Sequence, residues 1–131
     1  MNDEFLIGGS ILKNNVVLEK SFDFAVRIVK LYKYLCDEKK EYVLSKQLLK
    51  SGTSIGANIN EAQAGQSKRD FIAKMSIASK EARESKYWIK LLIKTDYLDR
   101  DNIYTKSLVN DTEEMVKLLT SIVKSSKETD D

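Results

Sequence analysis

Histidine and proline are absent from all 131 residues, and cysteine occurs once. Without histidine there is no Ser-His-Asp or Cys-His catalysis and no His-ligated zinc. The Glu-x-x-His pairs that hold metal in ferritin-like bundles are excluded too. The lone Cys36 excludes an internal disulfide framework and suits a reducing compartment. On its apolar stripe it reads as a buried small hydrophobe. The missing proline removes the strongest helix breaker, so long helices joined by short polar turns are expected. No run approaches the ~18 apolar residues of a membrane span. Acidic Asp3 and Glu4, with Gly8 and Gly9 breaking the apolar patch behind them, leave no signal peptide. The expected location is the cytoplasm, with no membrane partner, metal or cofactor.

What is present fits one domain with one core: 42% apolar residues, 32% charged, and a formal net charge of +2. Apolar residues recur at helical spacing in four stretches, and none shows the two-residue alternation of strands. Residues 1–16 read as a flexible N-terminal segment, 17–127 as the bundle and 128–131 as a frayed tail. The first helix is expected over about Leu18–Cys36. Phe22, Val26, Val29 and Cys36 lie on one of its sides, and Phe24, Ile28, Leu31 and Leu35 on another. Two apolar sides are more than a four-helix core needs, so this helix is either central or buried against another subunit.

The second helix is expected over about Tyr42–Ala64. Leu44, Leu48, Ser51, Ile55, Asn58, Ile59 and Ala62 form its core stripe, with Gly52 and Gly56 beside it. Glycine costs about 1 kcal/mol against alanine in a helix interior. These two glycines therefore mark a close helix–helix approach, unless the helix breaks at Ser51–Ser54. Asn58 on the stripe reads as a buried amide bonded across helices. Gly65 is expected to cap this helix, and Ser67 with Asp70 to open the third. The third helix should then run to about Lys94 or Thr95, and the fourth from about Asp101 to Lys127. Trp88 projects away from the main stripe of the third helix, so its expected burial is against a second helix or a subunit. The default arrangement is an all-α, antiparallel up-down-up-down four-helix bundle.

Several segments together identify a family: SFDFAVRI at Ser21–Ile28, SGTSIGANINE at Ser51–Glu61, and DFIAKMSIASKEARESKYWIKLL at Asp70–Leu92. The chain resembles the 23S rRNA intervening-sequence proteins, also called four helix bundle proteins. The resemblance implies a bundle that assembles into a ring-shaped homopentamer. It also implies kinship with the accessory variability determinant of diversity-generating retroelements, which binds nucleic acid beside a reverse transcriptase. The matching positions Ser51, Gly52, Ser54, Gly56, Asn58, Glu61, Tyr87 and Trp88 look structural rather than catalytic, and the chain is not expected to be an enzyme.

KSGTSIG at Lys50–Gly56 lacks the GK[ST] and the preceding strand of a phosphate loop. Glu81 and Glu84, with Glu61, could form ion pairs across a helix interface, and no polar pocket makes them an acid/base pair. The charge pattern of the third helix is the one hint of a partner. At about 100° per residue from Phe71, Lys68, Arg69, Lys80, Arg83, Lys86, Lys90 and Lys94 all fall between roughly 60° and 180°. No acid shares that arc, which also holds Ile72 and Tyr87. A basic stripe some 40 Å long suits the backbone of RNA or DNA. The alternative is a solvated or protein-binding face, or one neutralised by Asp111, Glu113 and Glu114 of the fourth helix.

Overall fold

The structure, a computed structural model, describes residues 8–128, with side chains from residue 16 onward. Residues 1–7 and 129–131 of the expected mobile segment and tail lie outside them. Four helices follow in order: α1 (Gly8–Asp37), α2 (Leu44–Gln63), α3 (Lys68–Lys94) and α4 (Ile103–Glu128). Each packs on its neighbour in sequence and α4 closes against α1, so α1 and α3 stand diagonally across an antiparallel bundle. Helix α1 begins at Gly8, ten residues before Leu18, where the clear apolar period begins.

The core takes the Phe24 side of α1 and the apolar residues of the α2 stripe, except half-buried Leu44. Phe24, Ile28, Leu31 and Leu35 of α1 meet Leu48, Ile55, Ile59 and Ala62 of α2. Met75, Ala78, Ala82, Ile89 and Leu92 of α3 meet Leu108, Met115, Leu119 and Ile122 of α4. The second apolar side of α1 stays outside: Phe22 is 68% exposed, Val26 39% and Val29 37%. Cys36 is half-buried rather than enclosed.

Helix α2 is continuous through Ser51–Ser54, so the glycines mark an approach and not a break. A Cβ on Gly52 would lie 2.8 Å from Ile28 Cγ1 and 3.0 Å from its Cγ2. Those atoms sit at the root of a stiff β-branched side chain, which cannot swing aside. At Gly56 the nearest atom is the smaller Ser21 Oγ, 3.2 Å away. On the other flank of α2, Ser51 Oγ and Ser85 Oγ are 2.9 Å apart in a buried hydroxyl pair with α3. Asn58 departs from expectation: half-buried, it donates from Nδ2 to Ser54 O of its own helix at 2.9 Å, not across the interface. An amide on the edge of a stripe can back-bond in this way.

The connections are short and capped. Ser67 Oγ accepts from Asp70 N at 3.1 Å, the expected opening of α3. Helix α2 ends on Ala64, and Gly65 follows it without a positive φ, so the glycine meets a packing demand and not a left-handed one. Its Cβ would press on Ala62 O at 3.1 Å and Phe71 N at 3.3 Å. The start of α2 holds a residue that the sequence pattern does not reveal. Glu41, 7% exposed, accepts from the backbone N–H groups of Val43, Leu44 and Ser45 at 3.1, 2.8 and 2.7 Å. Burial pushes its carboxyl up, but these amides outweigh burial and hold it below the ordinary carboxylate range.

Two outcomes follow from this packing. Gly52→Leu should cost about 1–3 kcal/mol or more by overpacking. Gly56→Ala should be nearly neutral, because losing a helix-interior glycine returns about 1 kcal/mol. Urea unfolding of both variants checks this, and equal costs would show that Ile28 yields. Glu41→Gln should cost about 0.5–2 kcal/mol at pH 7, as loss of an N-terminal cap does. A lowered folded pKa contributes stability above the unfolded value that fades as pH falls through the folded one. The wild-type advantage should therefore shrink on acidification below about pH 4, measured by denaturation across that range.

Candidate nucleic-acid interface

Contacts on either side orient α3. Ser85 meets Ser51 on the α2 flank, and Lys86 Nζ lies 3.4 Å from Glu113 Oε2 on the α4 flank. Arg83, Lys86, Lys90 and Lys94 recur at intervals of three and four residues, one per turn, on that second flank. Arg69, Lys80, Arg83, Lys90 and Lys94 are exposed and Lys86 half-buried. Lys68, also exposed, opens the helix with an interaction of its own. Arg83, Lys86, Lys90 and Lys94 therefore line the α4 flank of α3 together.

The acids of α4 divide in a way that matters. Asp111 Oδ2 accepts from Arg27 Nη1 at 2.6 Å, and Glu114 Oε1 lies 3.2 Å from Lys20 Nζ. Both carboxylates face α1, and of the three only Glu113 faces α3. Arg27 also donates to Ser107 Oγ and Tyr104 O and lies 4.6 Å over the Tyr104 ring. Partly exposed pairs of this kind stabilise weakly, by about 0.2–1 kcal/mol each. Their larger effect is on which way the charges point.

Two groups of cations join the stripe that the α3 pattern alone does not include. Lys106, Lys117 and Lys124 are exposed and recur at −7, +4 and +11 from Glu113, which places them on the α3 side of α4. Heptad spacing in the sequence carries that signal. Arg100 comes from the α3–α4 turn, and nothing in its local sequence points to the site. With Arg83, Lys86, Tyr87, Lys90, Leu91, Ile93 and Lys94 it lines a shallow depression of about 580 Å³. That lining has five cations and no carboxylate.

Tyr87, 58% exposed, stands in this depression. Trp88 beside it packs half-buried against the core. The two rings meet edge to face, with centroids 5.1 Å apart at 76°. The Trp88 indole N–H is buried without an acceptor. Of the remaining motif residues, Ser51, Gly52 and Gly56 are buried, Ser54 bonds to Lys50 O, and Glu61 is exposed. Among the described residues no group of His, Cys, Asp or Glu is arranged to hold a metal ion. No described helix is long and apolar enough to cross a membrane.

A four-helix bundle with small-residue seams and one cationic flank is thus the class of protein that the fold defines. The family model of the 23S rRNA-intervening sequence proteins matches residues 13–121, and the chain belongs to that family. Among solved structures it is similar to a protein of unknown function from the S23 ribosomal protein family of Bacteroides thetaiotaomicron VPI-5482. That protein is 58% identical, with a TM-score of 0.81, covering 86% of this chain and 98% of the other. The search of curated proteins found no match.

On the opposite flank, burial and then the neighbouring Glu84 push the Glu81 carboxyl above its ordinary range, against the pull of Lys80 and Lys50. A raised folded pKa gives stability that is full below the unfolded value and lost as pH rises through the folded one. Glu81→Gln should therefore raise the melting temperature at pH 7, with the gain vanishing near pH 4. Thermal melts at both pH values check this.

Proposed function

We propose that this chain is a non-enzymatic, self-associating bundle that binds the phosphate backbone of RNA or DNA along its α3–α4 flank. The observation that carries the reading is the separation of charge. Five cations line one depression without a carboxylate, while Asp111 and Glu114 are drawn to the far side of α4 by Arg27 and Lys20. Phosphate contacts by lysine and arginine supply affinity without sequence choice. The family's name, with its reference to 23S rRNA, agrees with an RNA partner. Self-association is supported by the exposed Phe22, Val26 and Val29, a continuous apolar row on the outer side of α1. The family resemblance sets the expected copy number at five.

Lys86 is half-buried against Glu113, so reversing its charge would disturb the bundle as well as the flank. Arg83→Glu, Lys90→Glu and Lys94→Glu together should leave the helical signal intact and abolish binding of a labelled nucleic acid at low salt. Wild-type affinity should fall steeply with salt, by about 0.9 in log–log slope per duplex phosphate contact. A wild type that binds no RNA or DNA at low salt, or a triple variant that binds equally well, overturns the reading. A flat salt dependence with an acidic protein partner would replace it with a protein-interaction role. For assembly, the wild type should sediment as a multiple of 15.0 kDa, and Phe22→Asp should shift it toward the monomer. A monomeric wild type at micromolar concentration rejects assembly.

A further inference from the structure

The basic depression does not end at the tip of α3. A second cleft, about 910 Å³, opens at the same end of the bundle between α1 and the α3–α4 turn, and it shares Ile93, Lys94 and Arg100 with the first. The two differ in charge balance. The first is cationic throughout, whereas the second mixes lysines with Asp96, Asp99 and Asp101 and is lined by Tyr34, Tyr97 and Tyr104. A phosphate chain suits the first better than the second, where Asp96, Asp99 and Asp101 offset most of the positive charge of Lys30, Lys39, Lys94 and Arg100. A nucleobase, uncharged and flat, suits the second.

Resting on the nucleic-acid reading above, we propose that the flank takes single-stranded nucleic acid, with its backbone on the cations of α3 and its bases stacked on Tyr87 and, past Lys94 and Arg100, on Tyr34 of the second cleft. Tyr87 is the first platform. It stands among Arg83, Lys86 and Lys90, 58% exposed, and its edge-on contact with Trp88 holds the ring in place. Duplex bases are stacked on one another and cannot reach such a ring, whereas an unpaired strand presents every base face. The row from Arg83 to Lys94 is about 16 Å long by the helical rise, and Tyr87 falls within it. Tyr34, 45% exposed, offers a face at the mouth of the second cleft. Tyr104 is committed to Arg27 and contributes to the wall instead.

Fluorescence anisotropy with the full chain tests this. The probes are a labelled U-tract RNA and a T-tract DNA, which tell RNA from DNA, an abasic strand of the same length and a DNA duplex, all at low salt. The expected order is tracts over duplex and over the abasic strand. Tyr87→Ala should weaken the tracts roughly five- to 150-fold, the range of one base–aromatic stack, and leave the abasic strand and duplex unchanged. Tyr87→Phe should restore tract binding, which a merely structural defect would not separate from the other probes. Circular dichroism confirms that the variants fold. Equal affinity for abasic strand and tract, or a Tyr87→Ala variant that binds tracts as the wild type does, overturns the single-strand inference while leaving backbone binding standing. Absence of binding to all four probes removes both.

Discussion

The absence of a side chain at Gly52 is the constraint on which the rest of the bundle depends. It lets the Ile28 side chain of α1 come to 2.8 Å from where a Cβ would stand. Helices normally pack with axes 8–10 Å apart, set by the side chains at the contact, and a glycine facing isoleucine brings them close. The position of α1 decides where Lys20 and Arg27 reach. These cations meet Glu114 and Asp111, which leaves Glu113 alone of that acidic cluster facing α3. The cationic flank is thus a consequence of how α1 is seated. Its charges are written on α3 and α4, but their freedom from acids is arranged from the diagonal helix.

The interior is built for such seating. Ser21, Ser45, Ser51, Ser79, Ser85, Thr105 and Thr112 are all buried, and Ser21, Ser51, Ser85 and Thr112 bond to carbonyls of their own helix. A hydroxyl satisfied in this way avoids the cost of burying an unpaired polar group, about 1–3 kcal/mol, while keeping volume small. The small-residue seams lie between α1 and α2 and between α2 and α3, which makes α2 the helix that both neighbours approach. The apolar row on α1 and the cationic flank of α3 and α4 then occupy different sides of the bundle. In the proposed assembly, contact through α1 leaves the flank accessible.

The sequence by itself determined four helices, the apolar sides from which their core is drawn and the common arc of the α3 cations, and it narrowed Gly52 and Gly56 to a close approach or a break. Each is a statement about angular position around a single axis, and 3.6-residue periodicity suffices for it. Tertiary structure decided the rest. Asn58, on the edge of its stripe, bonds within α2, because an amide there can reach its own carbonyls as easily as a neighbour. Glu41 caps α2 because the preceding turn folds its carboxylate back over three amides, a backbone path that no periodicity encodes. Arg100 joins the flank through the same kind of turn. Which acids face α3 depends on how α4 is rotated against two other helices at once. Periodicity fixes a residue's angle on its own helix, and only contacts between helices fix the angle of one helix to the next.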